Sequence, residues 1–131
     1  MPYLQLDVNG HFSVEQKKAL AKQLCETYAA MMTVDIRRIS IAIREMGEGG
    51  VWRMIDGVPT PVSVMMCDIR RGRSAELRLA LAQQLISDCV AGLGLREDRF
   101  NLEFTQHSGD EMVHPTLGGY SPEWSAEETA T

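Results

Sequence analysis

Apolar and polar residues alternate in short stretches that flank two longer stretches with helical spacing. The first alternating stretch is residues 3–9, with an apolar face of Leu4, Leu6 and Val8. Ser13 and Gln16 then form a predicted capping box at the start of a helix. The apolar side of that helix is Leu20, Leu24, Tyr28 and Met32. A second strand follows, marked by Ile39, Ile41 and Ile43.

The same order of elements returns in the second part of the chain. A strand at about 62–69 precedes a helix that Ser74 caps and that Gly94 ends after Leu93. The last strand carries Phe100, Leu102 and Phe104 on one side. Between the two parts, residues 47–61 form a turn-rich connector with a predicted small hairpin around Asp56-Gly57.

The two parts are related by a shift of 61 positions, which gives 9 identities over the 34 positions 13–46. Two copies are too few for a solenoid, so the pattern predicts one α+β domain built from duplicated β-α-β units. We expect a four-stranded sheet with two helices on one face and right-handed crossovers. Within the single domain 1–131, repeat one is about 2–46, the connector 47–61, repeat two about 62–107 and the C-terminal tail 108–131.

The sheet face away from the helices is predicted to be mixed in polarity. It carries Ser40, Ala42, Asn101, Glu103 and Thr105 beside Val64 and Met66. This set is too polar for a core and low in Lys, which favours an interior shared between copies in a homo-oligomer. A simple solvated sheet face is the alternative.

Charge and composition exclude several functional classes. The 131 residues have 13 Lys+Arg and 18 Asp+Glu, and the excess of acid lies in residues 109–131. The first 108 residues are balanced, 13 against 13, which argues against nucleic-acid binding. No apolar run reaches the ~18 residues of a membrane span. Three scattered cysteines predict reduced, buried thiols in a cytoplasmic protein; they are Cys25, Cys67 and Cys89.

Candidate chemistry begins with Pro2. Removal of Met1 exposes a secondary amine, and an apolar pocket with nearby cations lowers the pKa of such an amine and makes it a base. The alternative is that Pro2 only begins an edge strand. His107 and His114, predicted to lie in a loop, lack companion ligands at metal-binding spacing, so no metal is expected.

Arg70, Arg71 and Arg73 lie between a strand and a helix start, where guanidinium groups suit a substrate carboxylate. A solvated basic turn, or a partner for the acidic tail, is the alternative. Glu103 lies mid-strand on the polar face, where a carboxylate either handles protons or pairs with an Arg of a neighbouring unit.

Taken together, these features resemble the tautomerase superfamily. The first half is similar to the single-unit 4-oxalocrotonate tautomerase at residues 2–6, 15–17 and 41–46. The second half is similar to the fused cis-3-chloroacrylic acid dehalogenase branch at residues 70–77 and 111–113. The resemblance implies a homotrimer without cofactor or metal. It also implies Pro2 as the proton carrier, with Arg70 and Arg73 holding the carboxylate of a small acid substrate.

The departures from that pattern decide the predicted reaction. Tyr28 stands where the dehalogenase branch has a substrate-binding histidine, Glu103 replaces a tyrosine, and His114 replaces the water-activating glutamate. Glu103 or His114 would have to activate water instead. We therefore expect keto–enol tautomerisation of a small 2-oxo or unsaturated carboxylic acid. The alternatives are a hydratase, dehalogenase or decarboxylase of a three-carbon acid, or a non-catalytic trimeric binding module.

Overall fold

A four-stranded sheet covered on one face by two helices forms the main body of the chain in a computed structural model, which describes residues 1–117. The elements are β1 (Tyr3–Val8), α1 (Val14–Met32), β2 (Ser40–Glu45), β3 (Trp52–Ile55), β4 (Val58–Pro61), β5 (Ser63–Arg70), α2 (Ala75–Leu93) and β6 (Phe100–His107). Single-turn 3-10 helices lie at Ile36–Arg38, Glu97–Arg99 and Gly109–Glu111.

The strand order confirms the predicted fold class. The sheet runs β2-β1-β5-β6, with β1 parallel to β2, β5 parallel to β6, and the central pair β1 and β5 antiparallel. Each half is therefore one β-α-β unit, and the two units meet at the centre of the sheet. The structure is of a single chain, so the trimer stays a prediction.

The repeat is visible in the geometry as a pseudo-twofold axis. A shift of 61 positions carries the bounds of α1 onto those of α2, and the axis passes through the pair Gln5–Met66 at the centre of β1 and β5. The helices meet on the same axis. Thr27 Oγ1 donates to Asp88 Oδ2 at 2.6 Å, and Gln23 and Gln84, also 61 positions apart, each donate to one member of that pair.

The core lies between the helices and one face of the sheet, as the alternation predicts. Its sheet side is Leu4, Leu6, Val8, Met65, Cys67 and Ile69, and its helix side includes Leu20, Leu24, Tyr28, Leu81 and Leu85. The opposite face carries the other parity of each strand. This parity fixes which side chains share the polar face and therefore which of them can contribute to a site.

The ends of the elements form where the sequence predicts. Ser13 and Gln16 make the capping box, and Gly94 ends α2 in the left-handed region at φ 67°. The connector contains the predicted hairpin, because β3 and β4 are joined by Asp56 and Gly57 with φ of 49° and 76°, as a type I′ turn requires.

Two sequence-based expectations are wrong. His107 is the last residue of β6 rather than part of a loop, and Cys25 is only partly buried, whereas Cys67 and Cys89 are buried as expected. All three thiols are free. Among residues 1–117, no helix is long and apolar enough to cross a membrane. The part of the predicted tail from 118 to 131 lies outside the described residues.

Candidate active site

The amino terminus lies at one end of the central strands. Pro2 is buried, and its carbonyl accepts a hydrogen bond from the Ser40 backbone N–H at 3.0 Å. Because β1 and β5 are antiparallel, with Tyr3 opposite Asp68, the start of β1 lies beside the end of β5. The arginine-rich turn after β5 is thereby brought to the terminus.

Burial and positive charge both act on the terminal amine. With Met1 in place, the pKa of its amine falls from 8.0 to about 6, first because the group is buried and then because Arg38, Arg70 and Arg73 are close. Asp68 acts in the opposite direction and raises that pKa. The Pro2 nitrogen is one residue further along the chain, so a terminal Pro2 would meet the same groups.

Arg70 and Arg73 are held differently although they are close in sequence. Arg73 is 6% exposed, and its Nη2 donates to the Met32 carbonyl at 2.9 Å, at the end of α1. Arg70 is partly buried as the last residue of β5. Arg71 is exposed. Of the three arginines of the turn, Arg73 is therefore buried, Arg70 half-buried and Arg71 exposed.

Tyr28 lies in the core behind Arg73. Its side chain is 1% exposed, and burial raises the pKa of the phenol well above its ordinary value, while the charge of Arg73 lowers it. Tyr28 is therefore a neutral phenol, and within the single chain it is buried in the core rather than facing solvent.

Glu103 is on the polar face but away from Pro2. It is exposed, and it lies opposite Met66, which in turn lies opposite Gln5. Gln5 is three residues beyond Pro2, a separation of roughly 10 Å along a strand. The single chain therefore does not bring Glu103 to Pro2.

His114 is in the segment that follows β6, and that segment passes the amino terminus. The Met1 amine donates to Met112 Sδ at 3.9 Å, and Arg38 Nη2 donates to the Leu117 carbonyl. His114 Nδ1 accepts the backbone N–H groups of Thr116 and Leu117, both at 3.1 Å. The lone pair of that nitrogen is therefore already engaged.

The sequence did not indicate a site role for three residues near the terminus, which are Arg38, Asp68 and His107; His107 was considered only as a metal ligand. Asp68 Oδ1 is 2.7 Å from His107 Nε2 and accepts from Thr105 Oγ1 at 2.8 Å. The alternation of β5 and β6 was the available signal for this pair, because it places both side chains on the polar face. Arg38 gave no signal beyond its match to Arg99 in the repeat.

Residues 1–117 hold no group of three His, Cys, Asp or Glu side chains arranged to bind a metal ion. The groups available at the terminus include an amine, guanidinium groups, carboxylates and an imidazole. Together they can bind a small anion and move a proton.

No protein-family model and no curated protein matches the sequence. Solved structures do match. N1, a member of the cis-3-chloroacrylic acid dehalogenase family, has a TM-score of 0.81 at 19% identity, covering 96% of this chain and 87% of that chain. The Q0 fused 4-OT symmetric trimer gives 0.76 at 18%, covering 98% and 99%. Pt0534, inactivated by 2-oxo-3-pentynoate, gives 0.75 at 21%, covering 92% and 95%.

The chain has the tautomerase-superfamily fold. This finding confirms the resemblance at the level of the fold. The likeness extends over nearly the whole length of these structures. The identity of 21% or less leaves the reaction to be argued from the residues of this chain.

Proposed function

We propose that the protein is a cofactor-free tautomerase, a keto–enol isomerase of a small 2-oxo or unsaturated carboxylic acid, with the amine of Pro2 as its acid–base group. The observation that supports this most is the surroundings of the amino terminus. The Met1 amine is partly buried beside Arg38, Arg70 and Arg73, and its pKa is lowered to about 6; the same surroundings would favour the free base of a Pro2 amine.

The arrangement suits enolisation. Arg70 and Arg73 hold the substrate carboxylate, and the Pro2 amine takes a proton from the carbon next to the oxo group. The C–H electron pair becomes the C=C bond of an enol or enolate, whose negative charge the guanidinium groups stabilise. Return of the proton to a carbon atom regenerates the amine and completes the isomerisation.

The other predicted site residues have supporting places in this proposal. Tyr28 packs behind Arg73 and holds it in position. Glu103 acts from a neighbouring subunit of a homotrimer, because it is exposed on the face that we expect copies to share. His114 contacts the substrate through Nε2, since its Nδ1 accepts backbone N–H groups. The Q0 fused 4-OT trimer supports this assembly.

The experiment that tests the proposal measures exchange of the C3 protons of 2-oxobutanoate in D2O by proton NMR, after mass spectrometry shows that the chain begins at Pro2. We expect the wild-type chain to catalyse exchange and Pro2→Ala to lose about 100-fold or more of it, within the range of general acid–base catalysis. Pro59→Ala, in the exposed hairpin, is the matched control. Full activity in Pro2→Ala would reject the assignment.

Hydration or dehalogenation of a three-carbon acid is a second candidate, favoured by the overlap with the dehalogenase-family structure N1. It requires a group that activates water, for which the sequence offers Glu103 or His114. Release of halide from cis-3-chloroacrylate would favour it over tautomerisation.

Retention of Met1 in the purified chain would instead favour a non-catalytic trimeric module. The free thiols support a cytoplasmic location.

A further inference from the structure

A histidine and a carboxylate form a close pair beside the arginine turn. Asp68 Oδ1 lies 2.7 Å from His107 Nε2, and Thr105 Oγ1 holds the same oxygen at 2.8 Å. An ionised carboxylate only accepts hydrogen bonds, so Nε2 of the histidine carries the proton of this contact. His107 therefore exchanges a proton through Nδ1, which carries one in the imidazolium and offers a lone pair in the neutral ring.

The pair lies next to the groups that would hold the substrate. His107 is directly opposite Arg70 in the β5–β6 register, and its carbonyl accepts the Arg71 backbone N–H at 2.8 Å. Its Nδ1 is 3.8 Å from Glu111 Oε2, next to Met112, whose sulfur contacts the terminal amine. The side chain is 39% exposed, so it is open to a small molecule.

In the first half of the chain, the counterpart of Asp68 pairs with an arginine and not with a histidine. Asp7, 61 positions before Asp68, receives two hydrogen bonds from Arg44, at 2.6 and 3.0 Å. A bidentate ion pair of this kind is sufficient for holding two strands together. In the second half, Thr105 stands in place of Arg44, and a histidine completes the contact. Holding the two strands together would not require replacing the arginine by a threonine and a histidine.

We propose that His107, oriented by Asp68, is a second proton-transferring group of the site and acts on the substrate oxygen next to the carboxylate, which selects 2-oxo acids. The inference rests on the proposed tautomerase function. A carboxylate bound at Arg70 places the adjacent oxo group beside the strand position of His107. An acid with its carbonyl further from the carboxylate would not present an oxygen there.

The step balances as a paired proton transfer. The Pro2 amine takes a proton from C3, and the C–H electron pair forms the C2=C3 bond. The electron pair of the carbonyl π bond moves to oxygen, which takes the Nδ1 proton of the His107 imidazolium and gives the enol and a neutral imidazole. In the reverse direction Nδ1 takes the enol proton, and Pro2 returns a proton to carbon. No oxidant or further reactant is needed.

The test compares His107→Ala with Met46→Ala, because Met46 lies 61 positions before His107 at the equivalent place in the first half. Both variants are measured by C3 exchange of 2-oxobutanoate and by thermal unfolding. We expect His107→Ala to lower kcat about 100-fold with KM little changed, at the lower end of general acid–base effects. Added imidazole should restore part of the rate by entering the vacated space. Met46→Ala should keep the wild-type rate and should not respond to imidazole.

Asp68→Asn tests the orienting role separately. We expect kcat to fall while KM is retained, and Asp68→Glu to recover part of the loss. A histidine that only stabilises the fold would lower the melting temperature and would not respond to imidazole. That result, or wild-type kcat in His107→Ala, would overturn the inference.

A labelling experiment separates this inference from the proposed function. Treatment with 2-oxo-3-pentynoate should add one label to the amine of Pro2 in both the wild-type chain and His107→Ala. Labelling of both, with equal exchange rates, would leave the proposed tautomerase standing and reject His107. Absence of label and of exchange in the wild-type chain would reject the proposed function, and the inference with it.

Discussion

The two ends of the central strand pair β1 and β5, which the pseudo-twofold axis relates, have the same scaffold and different side chains. At one end the chain terminus meets Arg70 and Arg73. At the other end, Asn9 and Phe12 occupy the equivalent places, 61 positions before the two arginines, and Ser63 is the counterpart of Pro2, 61 positions after it. The nitrogen of Ser63 is a peptide amide, so it has no lone pair for proton transfer. The duplicated fold therefore supplies two frames, of which only one can hold a free amine.

Asn9 shows what the second frame does instead. Its amide Nδ2 donates to the carbonyls of Val51 and Val62, both at 3.1 Å, and its Oδ1 accepts the backbone N–H groups of Gly50 and Val51. One side chain thus holds both ends of the connector. About 220 Å³ of space remains beside Asn9 and Ser63, which is small for a drug-sized ligand site.

The largest expected effect comes from removing the amine. A chain that carries one extra Gly ahead of Pro2 places an amide where the base should be. We expect it to lose at least about 1,000-fold of C3 exchange, because general acid–base catalysis contributes 10²–10⁴-fold. Ser63→Ala, at the equivalent position of the other end, should keep the wild-type rate. Activity in the Gly-extended chain would mean that the two ends do not differ in this way.

Loss of an inward-facing arginine should be the next largest effect. Arg73→Ala should raise KM for 2-oxobutanoate about 10- to 100-fold, since hydrogen bonds to charged groups contribute roughly 1.5–3 kcal/mol. Arg71→Ala, on the exposed side of the same turn, is the control and should leave KM unchanged. Equal effects of the two variants in steady-state kinetics would show that the turn binds substrate only through its general positive charge.

Asn9→Ala should affect stability rather than chemistry. Four backbone groups at Gly50, Val51 and Val62 lose a hydrogen bond to Asn9, so we expect the free energy of unfolding in urea to fall by about 2 kcal/mol. The rate of C3 exchange should stay near the wild-type value below the unfolding transition. Arg70→Ala, the equivalent change at the other end, should lower the rate of C3 exchange strongly and the free energy of unfolding little. A loss of exchange in folded Asn9→Ala would contradict the division between the two ends.

The smallest effect concerns Glu45, whose counterpart in the second half is the uncharged Gln106. Hydrogen bonds from Lys17 and His11 lower the pKa of Glu45 from 4.5 to about 2. A lowered carboxyl pKa stabilises the fold above about 4.5, and this stabilisation is lost as the pH falls from 4.5 towards 2. Urea unfolding at several pH values should show a shallower acid dependence in Glu45→Gln than in wild type. Gln106→Ala should leave that dependence unchanged.

The sequence was sufficient to predict what depends on neighbours along the chain. Periodicity predicted both helices and the four sheet strands, Ser13 predicted a cap, and Asp56-Gly57 predicted a turn. The 61-residue shift predicted the duplication. Each of these features is decided within a few residues, or by comparing the chain with itself.

Contacts across the sheet could not be predicted in the same way. After Phe104, the strand continues with Thr105, Gln106 and His107, none of which is apolar. The apolar–polar alternation therefore stops before the end of β6, and His107 was expected to lie in a loop. The pairing of His107 with Asp68 depends on the register between β5 and β6, which a single sequence does not state. Arg38 reaches the terminus only because β2 lies beside β1.

The measurement that tests the account most directly is a nitrogen-15 NMR titration of the amino-terminal proline in the intact oligomer. Burial and three nearby guanidinium groups predict a pKa below about 7, which leaves the amine free at neutral pH. A value at or above the ordinary α-amino range of about 7.7–8.0 would contradict a general base at Pro2.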